Sequence, residues 1–196
     1  STLALIVCVH AFDMLGIDRK NIHTVTMPCF GTTKRTKSNA QLLAEAYGVS
    51  FEDINITKAV RQHFADINHD ESVTNITYEN SQARERTQIL MDLSNKYNGL
   101  VIGTGDLSEL ALGWATYNGD HMSMYGINAS IPKTLLRHMI VYEAKRRPNL
   151  KSVLDIGVTN SFRPLLNSSA IVGYGSVIKS LAVFGVIQSF IFGISS

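Results

Sequence analysis

The chain is poor in cysteine, in histidine pairs and in excess charge of either sign. Two cysteines in 196 residues, Cys8 and Cys29, are too few for a disulfide scaffold and read as free thiols of a reducing compartment. Six histidines show no metal-ligand spacing, and no Cys–His arrangement suggests a zinc site or a thiol nucleophile. The 18 basic and 16 acidic residues leave a net charge of +2, too little for a polyanion-binding field, so no nucleic-acid partner is expected. No Walker-type loop, GxGxxG fingerprint, internal repeat or interdomain linker occurs. Sequons at Asn55, Asn75, Asn128 and Asn167 have no signal peptide ahead of them and are expected to go unused, in keeping with a cytoplasmic location. The run from Ser180 to Ser196 is uncharged but slightly short for a membrane span and carries Ser and Gln. It also splits naturally. Ile171, Tyr174, Ile178 and Leu181 follow helical spacing, and Val186 to Phe192 reads as a buried parallel strand, so no membrane is expected.

What is present is a core. Apolar residues make up 45% and charged residues 17%, which excludes disorder and suits one domain over 1–196. Leu3, Ile6, Val7, Phe12 and Leu15 form an apolar helix ending at Gly16, and His23 to Met27 follows as a strand. A basic loop, Gly31 to Lys37, precedes a helix capped by Ser38 and stopped by Gly48. Phe51 to Ile56 is a second strand, Thr57 starts a short helix, and 67–77 is a polar loop. A long helix spans about Ser81 to Tyr97, followed by the strand Leu100 to Thr104 and a brief helix, Asp106 to Leu112. A loop over Asn118 to Asn128 leads to Pro132, which opens a helix to Arg147. Strands alternating with helices predict an α/β fold, a parallel twisted sheet with helices on both faces.

The strongest local signal for chemistry is Gly103-Thr104-Gly105-Asp106-Leu107-Ser108-Glu109, directly after a buried strand. Ligands of open α/β sheets bind at the carboxyl ends of strands, and hydroxyls with carboxylates suit a phosphate–Mg²⁺ assembly. The same pattern also describes a turn with an Asp or Ser cap. Arg84 and Arg86, behind Glu79-Asn80, suit phosphate or carboxylate recognition or a solvated helix face. Trp114 and Tyr117 offer a stacking surface or core packing. Lys133 and the basic loop Lys34 to Lys37 are phosphate-binding or merely solvated.

Longer stretches carry a resemblance. Thr26-Met27-Pro28-Cys29-Phe30-Gly31-Thr32 with Arg35-Thr36-Lys37-Ser38-Asn39-Ala40, Glu79 to Arg84, and the run Gly103 to Tyr117 closely resemble the synthetase domain of glutamine-dependent NAD synthetase. The resemblance runs on through Asn128 and Pro132-Lys133-Thr134-Leu135 and covers roughly Ser1 to Asp155. It implies an N-type ATP pyrophosphatase, which adenylylates the nicotinate carboxylate of deamido-NAD with ATP and Mg²⁺. Ammonia then displaces AMP. By motif, Lys133 and Glu109 are implied to be catalytic, with Glu109 the Mg²⁺ ligand. Ser1, Met27, Thr104, Lys133 and Ser195 are implied to bind ATP. Asn80, Arg84, Trp114, Ala115, Thr116 and Tyr117 are implied to hold deamido-NAD. A homodimer is implied as well.

The chain departs from that pattern in three ways. The family's glycine-rich phosphate loop, with its aspartate, is missing; the segment that precedes it in the family is similar to Phe190 to Ser195 here, and the segment that follows it is similar to Ser1 to Ile6. The order therefore resembles a circular permutation, with 170–196 the displaced first helix and strand. Its two ends are expected together at the carboxyl end of the sheet, beside Thr104. Asp155 to Ser169 follows the family only loosely. No glutaminase domain is present in this sequence, so free ammonia is the expected donor. The alternative to an enzyme is a rearranged or engineered scaffold that keeps a nucleotide pocket without turnover.

Overall fold

The computed structural model describes residues 1–30, 34–113, 118–119, 121–147, 150 and 189–193. In chain order the elements are α1 (Thr2–Leu15), a 3-10 turn (Arg19–Asn21), β1 (Ile22–Thr26), α2 (Lys34–Tyr47), β2 (Ser50–Asp53), α3 (Thr57–Asp66), α4 (Ile76–Lys96), β3 (Gly99–Gly103), α5 (Leu107–Leu112), β4 (Tyr125–Gly126), α6 (Lys133–Arg146) and β5 (Ser189–Gly193). The strands form one sheet in the order β2-β1-β5-β3-β4. β1 pairs parallel with β2, and β3 parallel with β4.

Pleating sends successive side chains to opposite faces, and two cores result. Ile102 packs with residues of α1, α2 and α6, while its neighbour Val101 packs with residues of α3 and α4. Both are essentially fully buried, each contributing about 2 kcal/mol of hydrophobic stabilisation. Helices therefore cover both faces, as expected. α1 ends because Gly16 takes a left-handed conformation, φ 68°, that closes the helix with hydrogen bonds to the Asp13 and Phe12 carbonyls. No described helix is long and apolar enough to cross a membrane.

Several boundaries differ from the sequence expectation. α2 begins at Lys34 rather than after Ser38, because Lys and Arg are better helix formers than Ser and extend the helix back into the basic run. α4 begins at Ile76 rather than Ser81. Asn75 caps it, its Oδ1 accepting from the Thr77 and Tyr78 amides at 2.9 and 3.1 Å. The span expected to be loop contains the two-residue edge strand β4.

The largest correction concerns β5. It lies centrally, as expected, but antiparallel to both β1 and β3. Gly193 faces Gly99, at the amino end of β3, and Ser189 faces Gly103 at its carboxyl end. The strand thus runs away from the edge where the permuted order required it to finish. A strand apolar on both faces can bury its side chains in either direction, and antiparallel pairing is slightly the stronger, so its composition carries no polarity. The helix expected over 171–181 and the residue Ser196 lie outside the described residues.

Candidate functional site at the carboxyl edge of the sheet

β3 ends at Gly103, where a Cβ would come within 2.8 Å of Ser123 Cβ. That close approach leaves no room for a side chain where the strand gives way to Thr104-Gly105-Asp106. Asp106 then starts α5 through a capping box. Its Oδ1 accepts from the Glu109 amide at 3.0 Å, and Glu109 Oε2 accepts from the Asp106 amide at 3.1 Å. The cap and the chemistry suggested by the sequence are therefore the same residues.

The second segment of the site comes from the turn after β4. Leu107 N–H donates to the Ile131 carbonyl at 3.0 Å, and Lys133 N–H to Ser108 Oγ at 3.1 Å. Pro132 is the N-cap of α6, so Lys133 stands at that helix's first position. Its ammonium lies 2.8 Å from Glu109 Oε1 and 3.1 Å from Asp106 Oδ2. The Lys133 side chain is 17% exposed and that of Asp106 only 3%. Burial works against the Lys133 ammonium, but the hydrogen bond to Glu109 and the charges of Glu109 and Asp106 outweigh it and raise its pKa above the ordinary lysine value. Lys133 is thus a cation at working pH, held between two carboxylates.

Ser1, at the start of α1, is near enough to feel the charges of Glu109, Lys133 and Asp106. The structure therefore brings Ser1, Thr104, Glu109 and Lys133 together at one edge. Met27 follows β1 at the same carboxyl edge, since Val25 and Gly103 both face Ser189, but its side chain is buried in the core against α3 and α4, and its carbonyl accepts from Arg86 Nε at 3.2 Å. Arg86 thereby anchors α4 to the end of β1. Asn80 is buried and Arg84 exposed, one turn apart on α4. Three residues on, Thr87 Oγ1 donates to the Gly119 carbonyl at 2.8 Å and ties α4 to the loop just beyond 114–117. Trp114, Ala115, Thr116, Tyr117 and Ser195 lie outside the described residues. Sequence reasoning missed Asp106 and Ser108 as partners of Lys133. The Asp-x-x-Glu capping pattern was the available signal for the first.

A sheet covered by helices on both faces, with a charged cluster where its parallel strands end, defines an α/β protein of the open-sheet ligand-binding class. The sequence model of the NAD synthase family matches residues 1–143, and the chain belongs to that family. It is similar to the glutamine-dependent NAD(+) synthetase of Mycobacterium tuberculosis, 44% identical over 176 residues, which cover 84% of this chain and 26% of the relative. The NH(3)-dependent NAD(+) synthetase of Trichlorobacter lovleyi is 36% identical over 129 residues, covering 66% of this chain and 45% of that protein. Among solved structures, the glutamine-dependent NAD+ synthetase of Acinetobacter baumannii in complex with ADP superposes with a TM-score of 0.65 at 28% identity. That match covers 79% of this chain and 30% of the other. The chain spans about a quarter of the length of the first curated relatives it matches.

Proposed function

We propose that this chain is the adenylylating core of an NAD synthetase, an ATP-dependent ligase that converts deamido-NAD to NAD. The observation that carries this reading is the Lys133 ammonium held between Asp106 and Glu109 on the loop after β3. ADP bound to a structural relative supports an adenine nucleotide as the ligand.

In this reading the nicotinate carboxylate attacks the α-phosphorus of ATP and pyrophosphate leaves. Ammonia then attacks the acyl carbon, AMP leaves with the bonding pair, and a proton lost from nitrogen completes the amide. Lys133 neutralises the phosphate oxygens as charge moves to pyrophosphate. Glu109, with Asp106 beside it, supplies hard carboxylate oxygens of the kind Mg²⁺ takes alongside triphosphate oxygens and water. The ion, when bound, would supply charge neutralisation at the leaving group. Thr104 and Ser1 contact the nucleotide from the same edge, and Met27 the adenine from the end of β1. Asn80, Arg84 and residues 114–117 hold deamido-NAD, an assignment favoured by the Thr87–Gly119 tether. The nitrogen donor is free ammonia, and the working form is a cytoplasmic homodimer.

A second reading, a nucleotide pocket without turnover, is favoured by the direction of β5, which carries Gly193 away from the carboxyl edge. One assay separates the two: incubation with ATP, Mg²⁺, deamido-NAD and ammonium, followed for NAD and AMP. Equimolar NAD and AMP support the ligase. ATP binding by calorimetry without NAD supports the scaffold, and no ATP binding defeats both. Glu109→Gln, which keeps the side chain's size but removes its charge, is expected to weaken Mg²⁺-dependent ATP binding by about tenfold with the fold intact. Equal affinity in both proteins removes the metal role.

A further inference from the structure

Segments 104–109 and 128–133 run beside each other and are cross-linked along their length. Besides the Leu107–Ile131, Ser108–Lys133 and Glu109–Lys133 bonds, Asn128 Nδ2 donates to the Thr104 carbonyl at 3.2 Å. Asn128 is fully buried, at 0% exposure. Its Oδ1 has no hydrogen-bond partner among the described residues. An orphaned buried oxygen is destabilising, so packing alone would favour an apolar side chain here. The amide is accounted for by its other end, which holds Thr104.

The consequence lies in the next residue. A trans peptide carries its C=O and N–H on opposite sides, and the described residues contain no cis peptide. With the Thr104 carbonyl turned to Asn128, the Gly105 N–H is turned away from it. That N–H makes no hydrogen bond among the described residues. Gly105 also borders the charged cluster: a Cβ on it would lie 3.5 Å from Glu109 Oε2. Resting on the nucleotide-binding reading above, we propose that Asn128 is a positioning residue that presents the Gly105 N–H to a phosphate oxygen of the bound nucleotide. An oriented backbone donor beside Lys133 adds direction to a charge that is otherwise non-directional.

The test uses Asn128→Ala and Asn128→Leu in the full ¹⁵N-labelled chain, the second variant filling the space without a donor. Without ligand, the Gly105 amide resonance is expected to move in both variants while those of Ile22 and Val25 in the core stay in place. An unmoved Gly105 resonance in a folded variant overturns the proposal. Loss of the core resonances in both variants makes Asn128 a structural residue and overturns it too. With Mg²⁺-ATP, the dissociation constant is expected to rise about tenfold in both variants, with deamido-NAD affinity unchanged. Equal weakening of both ligands, or of neither, counts against it. Wild type that binds no ATP defeats the proposed function and the phosphate half of this inference. The ligand-free resonances still decide whether Asn128 orients the peptide.

Discussion

The two ends of α6 each carry a cluster of opposite charges, and they are built on opposite logic. At the first residue, the Lys133 ammonium faces two carboxylates, Asp106 and Glu109, so negative charge is in excess. At the far end, one oxygen of buried Glu143 lies 2.7 Å from Arg147 Nε and 3.2 Å from His10 Nε2. Arg147 Nη2 is also 2.9 Å from His10 Nε2, and its guanidinium lies 5.9 Å from the Tyr47 ring. Arg19 extends the network, donating to the Tyr47 carbonyl and pairing with Asp13 at 2.6 Å. This end ties α1, α2 and α6 together, and its cation sits at a helix C-terminus, where the dipole favours it. Lys133 sits at a helix N-terminus, where the dipole opposes a cation. It stays there because a neighbouring loop supplies two anions. Local preference is followed at the far end of α6 and overridden at Lys133, where the proposed nucleotide site lies.

Removing Lys133 should have the largest effect. Lys133→Ala leaves Asp106 buried without its counter-charge, a loss of about 3 kcal/mol in stability. ATP affinity should fall about a hundredfold by calorimetry. Unchanged ATP affinity in a folded variant would erase the distinction between the two ends of α6. Glu143→Gln is the matching change at the far end. It should cost about 2 kcal/mol in denaturant unfolding and leave ATP affinity as in wild type. A weakened ATP site would mean that the two clusters are coupled through the helix. Arg84→Ala tests a finer division: deamido-NAD should bind about tenfold more weakly, with ATP unaffected. Parallel losses for both ligands would place Arg84 at the nucleotide instead.

The smallest effect concerns pH. His23 stacks on Tyr97 with ring centroids 4.1 Å apart, and burial lowers its pKa below 6.5 despite the opposing pull of Glu52. The unfolded chain therefore binds the proton first as pH falls. Stability should drop as pH passes below about 6.5 and level off once the folded pKa is passed. His23→Gln should flatten that drop in melting temperature while leaving the Lys133 site untouched. An unaltered profile would show that His23 does not contribute to it.

Much of the site was legible because it is local in sequence. Glu109 stands one helical turn beyond Asp106 and follows Thr104 on one continuous loop, so motif and geometry coincide. Lys133 was legible only by resemblance; spacing alone could not tell it from a surface lysine, since its partner Glu109 lies 24 residues away along the chain. Helix starts were partly hidden. Asn75 is as good a cap as any serine, but it lay inside a polar stretch read as loop.

The amino-acid sequence by itself settles the alternation of strands and helices and the placement of polar chemistry after β3. Those features follow from hydrophobic period and capping, which need only near neighbours. The tertiary structure alone decided three things: the antiparallel entry of β5 between β1 and β3, the pairing of Lys133 with Asp106, and the hold of Asn128 on Thr104. Each joins segments distant in sequence. A buried apolar strand has the same side-chain alternation read in either direction, and a lone lysine or asparagine does not encode which loop will come to lie beside it.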